Sequence, residues 1–361
     1  MSNLYTGNGE IISVSGGSAS VTDAQVKKAV INGIASGDIE LPAIATSGTL
    51  SHPSLSTAWI ANAETAYSNV LEQMQLYGND AIPFFILTDP HGRGNDPARW
   101  LNNKDIRVKN LSLGDFVIDY HSDLAAENWR NAALPVQNQI TVFGNHESYT
   151  LHAEAVTEYK LTHYYTDTTT APKRMVNGRN FFVSHDDDYN VKYIVVCPYY
   201  TNNDGSRNGV EIRTDQMEWL LKELAADDGY DVVLLMHQLW TDTYIHRDGT
   251  VQNWQDAPPI LENMWTVLKD RKNKRSGTIT DSSGVEHDYN FSNCETEVLC
   301  SLHGHTHEEL YLLEEGMLSY AGDMCGDTKL CTFGIINRET RKVTFWVFDS
   351  NICRDPLELS I

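Results

Sequence analysis

Five short segments carry the residues able to do chemistry: Thr88-Asp89-Pro90-His91, Leu113-Gly114-Asp115, Gly144-Asn145-His146-Glu147, the single His237, and His303-Gly304-His305-Thr306-His307. Asp89 and His91 stand two residues apart, close enough to grip one ion from a single turn. Asp115, at the start of its own loop, can bridge two cations. Asn145 offers a neutral amide oxygen, and His237, His305 and His307 offer nitrogen. The donor set of two carboxylates, one amide and four imidazoles contains no thiolate. It suits Mn, Fe or Zn better than Ca²⁺ or Mg²⁺, which prefer all-oxygen shells. With one donor shared, it suffices for two divalent metal ions about 3.5–4 Å apart, the spacing of two-metal hydrolytic sites. Such a pair neutralises phosphate oxygens and holds a hydroxide for in-line attack. The chemistry implied is that of a binuclear, phosphoryl-directed metal hydrolase.

These segments need buried strands behind them. The apolar run 83–88 has the uninterrupted character of a strand covered on both faces. Further strands are expected over 106–113, 139–143, 180–184, 192–198, 231–236 and 298–302, with helices over 55–77, 122–133, 151–160, 214–226 and 258–271. Asp256 is expected to cap the last of these helices. Residues 272–293 read as a polar loop, and 309–313, 317–321, 330–337 and 342–348 as one antiparallel meander. Strands alternating with helices, followed by a β-rich tail, imply a layered α/β sandwich on two sheets.

Residues 1–55 differ in character. They are rich in Gly, Ser, Ala and Thr, with an amphipathic helix expected over about 23–36 and a linker over 41–53. They read as an arm for attachment or homo-oligomerisation, or as a leader packed on the main domain, residues 56–361. The net charge of −22 disfavours nucleic acid and anionic membranes as partners and leaves a small phosphoester as the expected substrate. None of the six cysteines forms a CxxC pair. Reduced thiols are the expectation, with a bridge among Cys294, Cys325 and Cys353 left open. The N-terminus shows no basic-then-apolar leader and no stretch reaches membrane-spanning length, so a cytoplasmic protein is expected.

The ordered set Asp89-x-His91, Gly114-Asp115, Gly144-Asn145-His146-Glu147, His237 and Gly304-His305-x-His307 resembles the calcineurin-like metallophosphoesterase superfamily, over roughly residues 80–350. The resemblance implies a four-layer α/β/β/α sandwich. It implies that Asp89, His91 and His307 hold one ion and Asn145, His237 and His305 the other, with Asp115 bridging. It also implies that His146 contacts the phosphoryl group or protonates the leaving oxygen. The family commonly places a carboxylate after Gly-Asp-x-x to orient that histidine. Here Ile118 stands there, with Asp119 displaced by one residue, so Asp119 or Glu147 would have to serve. Arg93, Tyr149 and Asn202, just beyond strand ends, are candidates for substrate binding, with Tyr199 and Trp240 as further loop aromatics. His303 is expected to pack structurally, and His185, His246 and His287 to lie on the surface or in loops. The reading is a phosphomonoesterase or phosphodiesterase acting through a metal-bound hydroxide. The alternative is an assembly or phage/surface-particle component with an accessory metal domain.

Overall fold

The computed structural model describes Leu4–Tyr5, Ile11–Ile12 and residues 55–91, 96–102, 104, 107–115, 138–148, 181–201, 207–254, 257–326 and 329–361. The chain forms two compact units, Met1–Ser51 and His52–Ile361. In the first, β1 (Leu4–Tyr5) pairs antiparallel with β2 (Ile11–Ile12). The helices expected over 23–36, 122–133 and 151–160, the linker, and the Asp256 cap lie outside the described residues.

The second unit opens with α1 (Thr57–Tyr77). Ser56 caps it by accepting the Trp59 N–H, and Gly78, at φ 56°, ends it. Trp59, Ala63, Ala66, Tyr67 and Val70 recur at helical spacing and form its buried face. Then follow β3 (Ala81–Leu87), α2 (Asp96–Asn102), β4 (Lys109–Ser112), β5 (Gln139–Thr141) and the one-turn α3 (Asn145–Ser148). Next come β6 (Phe182–Asp186), β7 (Val191–Val195), β8 (Tyr199–Thr201), β9 (Arg207–Val210), α4 (Thr214–Ala225) and β10 (Asp231–Leu235). The hairpin of β11 (Thr243–His246) and β12 (Val251–Asn253) leads to α5 (Pro259–Lys272), β13 (Ser276–Thr280) and β14 (Glu286–Asn290). The chain closes with β15 (Val298–His303), β16 (Leu310–Glu314), β17 (Met317–Ala321), β18 (Cys331–Asn337), β19 (Lys342–Phe348) and β20 (Leu357–Ser360).

This is a mixed α/β fold with two large mixed sheets. One has eight strands in the order β12-β11-β16-β17-β15-β10-β7-β6, the other six in the order β20-β19-β18-β3-β4-β5. β3, β4 and β5 run parallel in the smaller sheet, and β7, β10, β15 and β17 in the larger. Period-two alternation explains the uninterrupted apolar runs. In β3, Ile82, Phe84 and Ile86 pack with Tyr193, Leu235, Leu302 and Tyr320 of the other sheet. Their neighbours Phe85 and Leu87 pack with Trp59 and Tyr67 of α1. In β10, Val233 and Leu235 join the first of these clusters, while Val232 and Leu234 meet Leu220 of α4 and Met264 of α5. Each fully buried side chain of this kind stabilises the fold by about 2 kcal/mol.

Three expectations need correction. The stretch 272–293 is not all loop: β13 and β14 form a hairpin whose buried side chains are Ile279 and Tyr289. With one apolar residue per strand, its alternation is too weak to read from sequence. The four C-terminal strands do not form one meander. β16 pairs with β17 in the larger sheet and β18 with β19 in the smaller, so the chain changes sheets between Ala321 and Cys331. His287 is not a surface residue: the hairpin folds its side chain to 9% exposure, 2.9 Å from an Asp281 carboxylate oxygen. No disulfide joins any of the six cysteines, and only Cys353 among them is exposed. Among the described residues, no helix is long and apolar enough to cross a membrane.

Candidate metal centre

The parallel strands of both sheets deliver their carboxyl ends to one place, the usual position of sites in open α/β sheets. Asp89 and His91 follow β3, Asp115 follows β4, Asn145 follows β5, His237 follows β10, and His305 and His307 follow β15. Hydrogen bonds between the turns hold the edges in register. The Asp89 N–H donates to the Gly114 carbonyl, that of His91 to the Asp115 carbonyl, and that of Gly304 to the His237 carbonyl. Asp89, His91, Asp115, His305 and His307 all adopt φ between 44° and 74°. Side-chain-bearing residues avoid this left-handed region at a cost of about 1–2 kcal/mol each. Five of the seven candidate donors carry this strain, as do six further described residues, among them Asn190, Lys274 and Glu315.

The motif glycines provide close approach. A Cβ on Gly144 would collide with the Asp115 carboxylate, and one on Gly304 with the Thr88 hydroxyl and the Asp89 carboxylate. Asp89 Oδ2 accepts the Thr88 hydroxyl and the His305 N–H at 3.0 Å. Its Oδ1 is buried and accepts no hydrogen bond; His307 Nε2 lies 3.3 Å away. Asp115 Oδ1 accepts the His146 N–H at 2.9 Å, and its Oδ2 lies 3.2 Å from His237 Nε2.

Two donor groups result, Asp89–His91–Asp115–His307 and Asp115–His237–His305, each with its ligand atoms within 4.8 Å of one another. Asn145 Oδ1 completes the second, 3.1 Å from His237 Nε2 and 2.9 Å from His305 Nδ1. His91 Nε2 and His307 Nε2 face each other at 3.0 Å. The tautomer of His237 follows from its surroundings. Nδ1 lies 2.6 Å from the Leu113 carbonyl, which only accepts, so Nδ1 carries a proton and Nε2 is directed to Asn145 and Asp115.

Electrostatics agree with a site built for cations. Burial works against a charge on His237, yet the Asp115 and Asp89 carboxylates and the bonds to Asp115 and Leu113 lift it to about 9. Burial also opposes ionisation of Asp115, but His237 and His146 hold it well below the usual carboxylate range. The neighbouring Asp89 carboxylate, 3.3 Å from its Nε2, raises His307 against its burial. Burial lowers His91 despite Asp115 and Asp89. Without a cation the pocket relies on a proton held by His237. An ion bound there would accept the same lone pairs in place of that proton and would give the buried Asp89 Oδ1 a partner. The residues fit a metal-binding site.

His146 sits beside these groups. Its ring packs edge-on to His91 at 4.8 Å, and its Nε2 lies 3.8 Å from Asp115 Oδ2. Arg93, Ile118, Asp119, Tyr149 and Asn202 lie outside the described residues, as does the Glu147 side chain. Tyr199 and Trp240 are buried, Tyr199 donating to Gln238 Oε1 at 2.7 Å and Trp240 to Ser301 Oγ at 2.8 Å. Trp240 is therefore packing, not an exposed substrate platform. Sequence reasoning missed Thr88 and the Leu113 carbonyl. A hydroxyl directly before the Asp of Asp-x-His was a readable signal for the first; a backbone oxygen leaves none.

No protein-family model and no curated protein matches the sequence. Among solved structures, the chain is similar to PhoD at 10% identity and TM-score 0.45, covering 78% of this chain and 72% of that one. It is similar to a conserved protein of Streptococcus pneumoniae TIGR4 described as a predicted phosphoesterase (10% identity, TM-score 0.34, 78% and 98% covered). It is also similar to an archaeal phosphodiesterase (14% identity, TM-score 0.30, 74% and 99% covered). In the order of its motifs and their convergence at one edge, the chain resembles the calcineurin-like metallophosphoesterase superfamily.

Proposed function

We propose that this chain is a binuclear metal-dependent phosphoesterase acting on small phosphomonoesters or phosphodiesters. One observation carries the reading: Asp115 belongs to both donor groups, so a single carboxylate can serve two neighbouring ions. Asp89, His91 and His307 would hold one ion, and Asn145, His237 and His305 the other. Two cations of the Mn, Fe or Zn type supply Lewis acidity and an activated water when bound. The chain's own residues do the rest. Asp115 fixes the spacing of the two groups, and the Leu113 carbonyl holds His237 in the tautomer that presents Nε2. His146 would protonate the departing alcohol oxygen, a role that its closeness to His91 and Asp115 supports. The charge of −22 supports a small substrate over a polynucleotide.

The test is elemental analysis and turnover of chromogenic phosphomonoesters and phosphodiesters after loading with Mn²⁺ or Zn²⁺. Asp115→Asn is expected to lower metal content and reduce turnover by at least about 10³-fold. Full metal content with no turnover on either ester class would falsify the enzymatic reading. It would favour the second one, an assembly component with an accessory metal domain. The low-charge Gly/Ser-rich arm speaks for that reading, which predicts a lower oligomeric state when residues 1–51 are removed.

A further inference from the structure

His237 and His305 leave neighbouring parallel strands, β10 and β15, and their imidazoles lie 5.1 Å apart at 71°. Two hydrogen bonds tie the turns that carry them. One is the Gly304 N–H to the His237 carbonyl at 3.1 Å. The other comes from a side chain: His303 Nδ1 lies 2.8 Å from the carbonyl of Gln238, the residue after His237. That carbonyl only accepts, so Nδ1 bears the proton.

The remaining atoms around His303 are satisfied in one consistent way. Its Nε2 lies 2.9 Å from Ser301 Oγ, which already receives the Trp240 indole N–H at 2.8 Å. With Nδ1 bearing the proton, Nε2 of the neutral ring can only accept, so Ser301 donates to it. The Trp240 ring stands perpendicular to the imidazole at 5.9 Å. His303, Ser301 and Trp240 are fully buried, so no solvent competes for these bonds. The Tyr199 hydroxyl donates to Gln238 Oε1 at 2.7 Å.

We infer that His303 is a positioning residue, whose Nδ1–H fastens the Gln238 carbonyl and so sets the spacing of His237 and His305. The inference rests on the binuclear reading and assigns the residue to one half of it, the half completed by Asn145. His303 touches neither substrate nor ion; it acts through the two turns.

Two substitutions separate this role from simple packing. In His303→Asn the side-chain amide nitrogen stands where Nδ1 stood and still reaches the Gln238 carbonyl. In His303→Gln the amide reaches towards Ser301 and leaves that carbonyl unpaired. Both remove ring volume beside Trp240, so a purely structural role would have Asn do no better than Gln. Metal content is measured after loading with Mn²⁺ and dialysis. The expected result is about two ions per chain for wild type and His303→Asn, and about one for His303→Gln. The apparent Kd of the ion lost should rise at least about tenfold. Equal loss in both variants, or no loss in either, overturns the positioning role and leaves the binuclear reading intact. A wild type that binds no ion overturns that reading itself. A second readout needs no metal: the ¹⁵N shifts of the His303 ring should report Nδ1 as the protonated nitrogen. The opposite tautomer also overturns the inference.

Discussion

His146 and Asp323 show how a residue's surroundings set its task. The other imidazoles of the centre belong to the two donor groups, whereas His146 belongs to neither, its Nε2 standing 3.8 Å from Asp115 Oδ2. Its removal should therefore spare the ions. His146→Ala is expected to keep full metal content and to lower kcat by about 10²–10⁴-fold on alkyl phosphoesters. The loss should be much smaller on nitrophenyl esters, whose leaving oxygen needs no proton. Comparable losses on both, measured at saturating metal, would count against an acid role. Asp323 tells a different story. Burial lifts its carboxyl to about 6, against the pull of the Met324 N–H and of Arg354 at 3.7 Å. The folded chain thus holds a proton that the unfolded chain releases nearer pH 4. Between about pH 4 and 6 this group makes stability fall as pH rises. Asp323→Asn should flatten that slope and raise stability at pH 7 by about 1 kcal/mol, as read from urea midpoints across pH.

At the scale of elements, legibility followed the strength of each local signal. β3 could be read because both its faces are buried and every residue in it is apolar. The donors could be read because Asp-x-His and His-x-His are chemically distinctive. β13 and β14 could not, being built of Ser, Thr, Asp and His around one buried apolar side chain each. Nor could the division of the C-terminal strands between sheets, since pairing is settled by distant partners such as β3 beside β18. Gly334 is a further case. In sequence it looks like a weak point in a strand; in the fold it lies between Phe84 and Phe345 on its two neighbours. A Cβ there would collide with the Phe84 ring, which packs edge-on to Phe345 at 6.0 Å. The missing side chain makes room for an aromatic pair across the strand. Gly334→Ala should therefore destabilise by about 1–3 kcal/mol through overpacking, despite its better strand propensity. An unchanged denaturation midpoint would show that Phe84 can move aside at little cost.

At the scale of the whole molecule, a chain with a net charge of −22 carries a site proposed to act on anions. Both fields act on substrate, but over different ranges. The ions govern the last few ångströms, while the surface charge governs approach from further out. Salt separates them, because the Debye length shrinks from about 30 Å at 0.01 M to about 8 Å at 0.15 M. Screening the surface should let an anionic substrate approach more readily while leaving the buried donor groups almost untouched. With metal held saturating, kcat/KM is expected to rise over that range of NaCl, by about twofold to tenfold for a dianionic phosphomonoester. A monoanionic diester should gain less, and kcat should stay flat for both. Saturating metal is essential to the design, since the same surface concentrates divalent cations and salt weakens that attraction as well. A fall in kcat/KM with salt, steeper for the dianion, would mean that a local positive field around the site outweighs the net charge and steers substrate in.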